Sequence, residues 1–180
     1  MPTRYYTRVY EEEGTSVRIV MVDTTPLMSK YREENQKYPE ACLQDNEKQL
    51  AWVDSVLNVA KEYWVMVVGH HPIYAETSKD ESERIDMQNT LDKILRKHKQ
   101  VVMYLCGHIH NFRHIRVPDS SIDYVVNSSA SLSRKVKPIE GTQFCSPETG
   151  FSVIAADKNE LCVHMIDKNG NVLYTVKRTK

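Results

Sequence analysis

Two apolar segments of this sequence end in the same way, and they constrain the fold more than any other feature. Trp64-Val-Met-Val-Val-Gly-His-His-Pro72 and Tyr104-Leu-Cys-Gly-His-Ile-His-Asn111 each run through a glycine into histidine. Near-continuous apolar runs are typical of strands that are covered on both faces of a parallel sheet. Open α/β sheets build their sites outside the carboxyl ends of such strands. We therefore expect the histidines of both segments to lie together at one edge of a sheet.

The second segment places His108 and His110 two positions apart. In an extended chain, alternate side chains project to the same side, so the spacing predicts two imidazoles on one side, about 6 to 7 Å apart at the backbone. Such a pair can reach two different ions of a dinuclear centre spaced ~3.5–4 Å apart. The spacing therefore predicts half of a metal site.

The elements around these segments predict an α/β fold with a mixed β-sheet and flanking helices. A strand over Ser16–Asp23 precedes a helix that Asp45 can cap and that runs to about Glu62. The apolar spacing of residues 87–95 predicts a second helix, which ends near His98. Because these helices alternate with strands at 63–68 and 101–105, we expect parallel strands joined by right-handed crossovers.

The remaining chain is less regular. Residues 27–44 are polar and predict a surface loop. The charged run Lys79–Arg84 predicts a solvated loop, with a loop that borders the substrate as the alternative. Short strands are predicted at 122–126, 151–156, 161–166 and 172–176, with hairpin turns at Asp157–Glu160 and Asp167–Asn171. The C-terminal third should therefore be antiparallel.

Composition narrows the range of partners. Lys plus Arg and Asp plus Glu both number 24, so no net charge draws the chain to nucleic acid or to an anionic membrane. No apolar run approaches the roughly 18 to 20 residues of a membrane span. The four cysteines have no CxxC spacing, and their even number permits disulfides without requiring them. We expect neither a nucleic-acid nor a membrane partner.

The two histidine segments resemble the last two of the five sequence blocks of purple acid phosphatases, within the tartrate-resistant branch of the calcineurin-like metallophosphoesterases. Val17–Thr24, the helix around Leu50–Trp52 and the closing run Gly150–Lys177 are similar to that branch in order and spacing, so the resemblance covers nearly the whole chain. It implies that residues 1–180 form the C-terminal half of a four-layer αββα sandwich. It also implies that this half carries mainly one sheet.

The resemblance implies a role for three histidines. His70 and His108 match ligands of a divalent ion, which is Fe²⁺, Zn²⁺ or Mn²⁺ in this family, and His110 matches a ligand of Fe³⁺. The implied activity is hydrolysis of phosphate monoesters by an in-line attack of a metal-generated hydroxide.

Other residues are candidates for supporting roles. The family's usual extra histidine after the fourth block has no counterpart, so His71 and, more weakly, Glu76 are candidates to protonate the leaving group. Asn111 and Glu76 are also candidates to hold a ligating imidazole or to line the substrate pocket.

The first three blocks of the family are missing. None of the six glycines is followed by aspartate, and Gly170-Asn-Val172 does not match the GNH block. Three neutral imidazoles need anionic partners before they can hold two adjacent cations. We therefore expect the dinuclear centre to be incomplete in this chain, and the isolated chain to be inactive without its N-terminal metal-ligand half.

Partners and alternatives follow from the same reasoning. Beyond a phosphate-ester substrate and the missing half of the domain, an uncovered apolar sheet face predicts a homodimer. One alternative is a non-catalytic metal-binding or interaction module, and another is a phosphodiesterase or nucleotidase of the same superfamily. The resemblance favours an exported location, either periplasmic, secreted or lysosomal.

Overall fold

A computed structural model of the chain describes residues 3–76, 81–128 and 130–180. Within these residues, ten strands form a seven-stranded and a three-stranded sheet. The strands are β1 (Tyr6–Glu12), β2 (Thr15–Met21), β3 (Trp64–Val68), β4 (Val101–Cys106), β5 (Phe112–Ile115), β6 (Asp123–Val126), β7 (Thr142–Ser146), β8 (Gly150–Ala156), β9 (Glu160–Asp167) and β10 (Val172–Thr179).

The large sheet has the order β1-β2-β3-β4-β6-β5-β7. Its centre is parallel, because β2, β3, β4 and β6 run in one direction. The outer strands β1, β5 and β7 are antiparallel to their neighbours. The predicted mixed sheet is confirmed, although β1, β5 and β7 were not predicted from the sequence.

The long helix α3 (Asn46–Val59) connects β2 to β3. The Asp45 carboxylate accepts a hydrogen bond of 2.9 Å from the Lys48 backbone amide, which confirms the predicted N-cap. Val53 and Leu57 are fully buried on the face that packs against the sheet. The helix ends three residues earlier than predicted because Ala60 is already extended.

Residues 27–44 were predicted as an irregular loop, and that prediction is wrong. The segment contains α1 (Ser29–Glu33) and α2 (Pro39–Cys42), preceded by the 3₁₀ turn Thr25–Leu27. Pro26 and Pro39 each lie in a first turn, where the missing amide hydrogen costs no hydrogen bond. Leu27 is buried against the core, so packing rather than helix propensity orders this polar stretch.

The second predicted helix is present as three joined pieces. These are α4 (Ser82–Met87), a π-helical turn (Gln88–Asp92) and α5 (Lys93–Leu95). Met87, Leu91 and Leu95 are fully buried along its inner side. This helical segment leads into β4, as the predicted crossover requires.

The small sheet, in the order β10-β9-β8, packs against one face of the large one. Trp64, Met66, Met103, Leu105, Phe112 and Val125 of the large sheet form one buried cluster with Leu161, Val163, Met165 and Val176 of the small one. Both predicted C-terminal hairpins are confirmed. The expectation of mainly one sheet is wrong, because the hairpins form a second layer instead of extending the first.

One edge of this sandwich is exposed among the described residues. Strand β8 is a terminal strand of the small sheet, and its Phe151, Val153 and Ile154 are 51%, 43% and 41% exposed. Val17 and Ile19 of β2 are only partly buried nearby. Ile154 lies opposite the buried Val163 and faces the inner side with Val17 and Ile19, whereas Phe151 and Val153 lie on the other face of the small sheet. Apolar side chains are therefore exposed on both faces at this edge.

Candidate metal centre

The site lies at the carboxyl ends of β3 and β4, where the two loops run side by side. The Gly69 amide donates to the Leu105 carbonyl and the Gly107 amide donates to the His70 carbonyl, both at 3.0 Å. Gly69 is required by packing, because a Cβ there would lie 2.5 Å from Tyr104 Oη and 2.6 Å from Thr24 Cγ2. Two strand ends that are bonded in this way hold their histidines at a fixed separation.

The segment that carries His108 and His110 is a tight turn, and the prediction of an extended chain here is wrong. His108 has φ 69° and His110 has φ 53°, both in the left-handed region that residues with a side chain rarely adopt. The Ile109 amide donates to the Gly107 carbonyl at 2.8 Å and closes the turn. Backbone strain of this kind clusters at functional sites, where the surrounding structure holds it in place.

Asn111 supports this turn directly. Its side-chain amide donates to the Ile109 carbonyl at 3.1 Å, and its Oδ1 accepts from Arg113 Nε at 3.0 Å. Both side chains are 2% exposed. Burial lowers the pKa of Arg113, whose other nitrogens donate to the Glu76 and Lys137 carbonyls. In the structure, Asn111 holds the backbone that carries the histidines.

Three imidazoles meet above the turn. His70 Nε2 lies 3.1 Å from His108 Nδ1. The ring of His71 is centred 4.8 Å from that of His70 and 4.4 Å from that of His108. One potential ligand atom from each of these residues lies within 4.8 Å of the others. The structure therefore brings His70, His71 and His108 together, and metal binding by His70 and His108 stays a prediction.

His71 is buried and held on both sides. Its Nδ1 lies 2.8 Å from Thr24 Oγ1, which also accepts the His71 backbone amide at 3.2 Å. Its carbonyl accepts from the buried hydroxyl of Tyr104 at 2.7 Å. These contacts direct the other ring nitrogen, Nε2, away from Thr24.

His110 lies beside the three-histidine group and outside it. Partial burial of the His70 ring and the nearby charge of His110 lower the pKa of His70, although the His70 residue as a whole remains exposed. A low pKa keeps the lone pair of His70 available to a cation. Among the described residues, the buried Nδ1 of His110 has no hydrogen-bond partner. The role of His110 as a ligand stays a prediction.

Glu83 is the residue at this site that the sequence analysis missed. It was assigned to a solvated loop, but it is 5% exposed on α4, and its Oε2 lies 3.7 Å from His108 Nε2. Glu83, Met87 and Leu91 recur every four residues, and that period places all three on the buried side of the helix. Lys79 and Asp80 of the same run lie outside the described residues.

Glu76 is exposed, and its contact with the site region is made through its backbone carbonyl. The structure therefore gives its carboxylate no defined position near the imidazoles. Its role as a proton donor stays a prediction.

The donor set fits one divalent cation. Two imidazole nitrogens at 3.1 Å converge on a common point, and imidazole is a good ligand for zinc, iron and nickel. The three-residue group contains only imidazoles, so in the part of the chain that the structure describes it offers no bridging carboxylate for a second ion. The assembled group thus matches half of a dinuclear site.

Comparisons with known proteins identify the family of this chain. The family model of calcineurin-like phosphoesterases matches residues 4–112. Tartrate-resistant acid phosphatase type 5 of Sus scrofa is 27% identical over 98% of this chain and 55% of its own length. Purple acid phosphatase 3 of Arabidopsis thaliana is 29% identical over 91% of this chain and 47% of its own length.

Solved structures show the same fold. GAP50, described as the anchor in the inner membrane complex of Plasmodium, superposes with a TM-score of 0.78 at 23% identity, over 99% of this chain and 55% of its own. A dimetal phosphatase of Danio rerio gives a TM-score of 0.62 at 16% identity, over 97% of this chain and 60% of its own. At these identities, the likeness concerns the fold alone.

Two further facts concern the length of the chain and its helices. The chain spans about half the length of the curated relatives it matches. No helix in the described ranges is both long and apolar enough to pass through a bilayer. With its family model, its relatives and its fold in agreement, the chain belongs to the calcineurin-like phosphoesterase family.

Proposed function

We propose that this chain supplies His70, His108 and His110 to the dinuclear metal centre of a phosphomonoesterase. The observation that most directly supports this proposal is the distance of 3.1 Å between His70 Nε2 and His108 Nδ1, at the carboxyl ends of two parallel strands. Two imidazole nitrogens at this distance are stabilised by a cation or a proton that both can share. The relatives are acid phosphatases, which favours monoesters as the substrate class.

We assign each histidine of the site a separate role. His70 and His108 would hold a divalent ion, and His110 would hold the second ion, which is Fe³⁺ by the family resemblance. When bound, the pair of ions supplies a hydroxide nucleophile and binds the phosphate oxygens. His71, fixed by Thr24 and Tyr104, orients the neighbouring rings and is the candidate proton donor to the leaving alcohol. The anionic ligands come from an N-terminal half of the domain.

The N-terminal half of the domain could pack against an exposed apolar surface of this chain. Ile154 of β8 and the partly buried Val17 and Ile19 of β2 line one open groove at the edge of the sandwich, where further strands would bury them. In the isolated chain, the same region would pair with a second copy as a homodimer. An exported location, by resemblance to the family, completes the proposal.

A non-catalytic metal-binding module is the second candidate function. The three-residue group supports it, because it contains imidazoles alone and so fits a single cation. This candidate and the phosphatase make different predictions for a longer protein.

The test begins with the coding sequence upstream of Met1, which should contain in-frame GDxG, GDxxY and GNH blocks. Metal content and hydrolysis of p-nitrophenyl phosphate and bis-p-nitrophenyl phosphate are then measured for the 180-residue chain and for the extended one. We expect one Zn²⁺ and no turnover for the chain alone, and two metals with monoester turnover for the extended protein. Two metals and turnover in the chain alone would refute the division into halves. An extended protein that binds metal without turnover would establish the non-catalytic module, and preference for the diester would place it with the phosphodiesterases.

A further inference from the structure

Glu83 faces the nitrogen of His108 that points away from His70. Its Oε2 lies 3.7 Å from His108 Nε2, while His108 Nδ1 lies 3.1 Å from His70 Nε2. The two nitrogens of one imidazole thus face a carboxylate on one side and the cation position on the other. We propose that Glu83 is a positioning residue that keeps the proton of His108 on Nε2 and leaves the Nδ1 lone pair for the metal. This proposal rests on the proposed function, since it assigns His108 as a ligand.

The carboxylate of Glu83 is itself fixed. Its Oε1 accepts from Lys30 Nζ at 2.9 Å and from the Tyr31 hydroxyl at 3.3 Å. These two donors occupy one oxygen and leave Oε2 directed toward His108. Because Glu83 is 5% exposed, little water competes for that oxygen. The carboxylate that faces His108 is therefore itself held in one orientation.

The helix that carries Glu83 is held in register with α1. The Asp86 carboxylate accepts from both the Ser29 amide, at 2.7 Å, and the Ser29 hydroxyl, at 2.6 Å. Asp86 lies three residues after Glu83 on α4, so this contact fixes the helix one turn from the site. Glu83 thus belongs to a rigid support between two helices and the turn of His108.

The chemistry follows from the two forms of neutral imidazole. A ring with its proton on Nε2 can donate that proton to a carboxylate and offer Nδ1 to a cation. Hydrogen bonding to a carboxylate also makes the ligating nitrogen more basic, and loss of such partners typically weakens metal binding by about 10- to 100-fold. At 3.7 Å the contact is longer than a hydrogen bond, so we expect it to shorten when His108 binds a cation.

A purely structural role is the competing explanation, because Glu83 also joins α4 to α1 through Lys30 and Tyr31. The two explanations differ in what Glu83→Gln changes. Glutamine keeps the size of the side chain and an oxygen acceptor, but it removes the charge that favours the proton on Nε2. A structural role predicts reduced stability with an unchanged His108 tautomer.

The experiment uses the 180-residue chain and Zn²⁺ as the probe. Long-range ¹H–¹⁵N spectra of the metal-free protein report the tautomer of His108, and competition with a chromophoric chelator reports the Zn²⁺ affinity. We expect a predominant Nε2–H form in the wild type, a smaller Nε2–H fraction in Glu83→Gln, and Zn²⁺ binding weakened by about 10- to 100-fold. Chemical denaturation of both proteins measures any loss of stability.

A matched control exists elsewhere in the chain. Asp54 Oδ1 contacts His98 Nε2 at 2.8 Å, and Asp54→Asn removes the same charge from a histidine remote from the site. This variant should leave Zn²⁺ affinity and the His108 tautomer unchanged. An unchanged tautomer in Glu83→Gln, or equal losses in Glu83→Gln and Asp54→Asn, would overturn the proposal. If wild-type chain binds no Zn²⁺, the proposed function fails, while the tautomer in the metal-free protein still decides the effect of Glu83.

Discussion

Two histidine-containing clusters of the described residues differ in which groups their side chains contact. At the start of β6, the fully buried Asp123 carboxylate contacts His114 Nε2 at 2.8 Å, Arg116 Nε at 2.6 Å and Arg178 Nε at 2.6 Å. At the carboxyl ends of β3 and β4, the imidazoles of the candidate site face one another instead.

The difference separates a structural cluster from a binding cluster. Burial alone would raise the pKa of Asp123, but hydrogen bonds from His114 and Arg116 and the charge of Arg178 outweigh it, so the pKa is lowered. All three of these partners belong to the described part of the chain, and Arg178 on β10 ties the small sheet to the large one. The histidine group instead brings imidazole nitrogens close to one another, and imidazole is a ligand for divalent cations. Stability should therefore depend on the first cluster and metal binding on the second.

The largest expected effect comes from Asp123→Asn. Removing one partner of a buried ionic cluster leaves its other charges uncompensated, at a cost of about 3–5 kcal/mol in the free energy of unfolding. Urea denaturation at neutral pH measures the loss. Because the folded pKa of Asp123 is lowered, its contribution is present above the unfolded pKa and is lost as pH falls through the folded value.

The difference between wild type and Asp123→Asn should accordingly shrink in acid. Zn²⁺ affinity of the folded variant should match that of the wild type, since the cluster lies apart from the imidazoles. A variant as stable as the wild type, or one that is folded but does not bind Zn²⁺, would remove the distinction between the two clusters.

The converse change is His108→Ala, which should weaken Zn²⁺ binding by more than about 100-fold, or about 2.8 kcal/mol. Chelator competition measures this loss. His108→Gly is the matched variant, because both remove the imidazole and only glycine accepts a φ of 69° without strain. We expect His108→Gly to unfold at higher urea, with an advantage of about 1 kcal/mol over His108→Ala. Equal stabilities would mean that the turn stores no strain at this position.

An intermediate loss of stability is expected for Gly69→Ala. A Cβ in Gly69→Ala would lie 2.5 Å from Tyr104 Oη and 2.6 Å from Thr24 Cγ2, so one of the two contacts to His71 must move. Overpacking of this kind costs about 1–3 kcal/mol. Denaturation measures that cost, and Zn²⁺ affinity reports the displacement of His71.

The double variant Gly69→Ala with Thr24→Ser tests the cause. Serine removes the crowded methyl and keeps the hydroxyl that contacts His71, so it should recover part of the loss. If Gly69→Ala behaves as the wild type in both measurements, the loop can adjust and the close approach is not a requirement.

The sequence predicted the sheet better than the details of the site. The apolar runs before Gly69 and Gly107 identified the two central strands, and the alternation of helices and strands predicted their parallel direction. Strand β5 was missed because its Arg113 and His114 are polar, although both are buried through specific hydrogen bonds. Such burial depends on partners distant in the chain, which a local pattern does not contain.

The orientation of the histidines also depends on contacts that a local sequence pattern does not contain. Two-residue spacing predicted that His108 and His110 share a side, but the backbone turns at both residues. The turn depends on Asn111 and Arg113, which lie outside the GHxH motif. Glu83 was missed because a charged run is usually solvated, and only its four-residue spacing from Met87 and Leu91 indicated a buried side. Motifs identified the ligands, and tertiary contacts decided how they are oriented.

Among the variants that alter the site, the smallest expected loss of Zn²⁺ affinity concerns Thr24, which links the strand-β2 loop to His71. Its hydroxyl contacts His71 Nδ1 at 2.8 Å and accepts the His71 amide at 3.2 Å. Thr24→Val keeps the shape and removes both contacts, which should cost about 1–3 kcal/mol of stability, because His71 is 3% exposed and its amide loses an acceptor. Zn²⁺ affinity should fall by less than in Glu83→Gln, about 10-fold at most.

Thr24→Ser separates the hydroxyl from the methyl group. Serine retains both contacts to His71 and leaves a methyl-sized space beside Gly69, so its Zn²⁺ affinity should equal that of the wild type even if its stability is slightly lower. Denaturation and chelator competition on the three proteins give the comparison. If Thr24→Val binds Zn²⁺ as tightly as Thr24→Ser, then His71 acts without its Thr24 contact, and the support of the metal site narrows to Glu83 and the turn of His108.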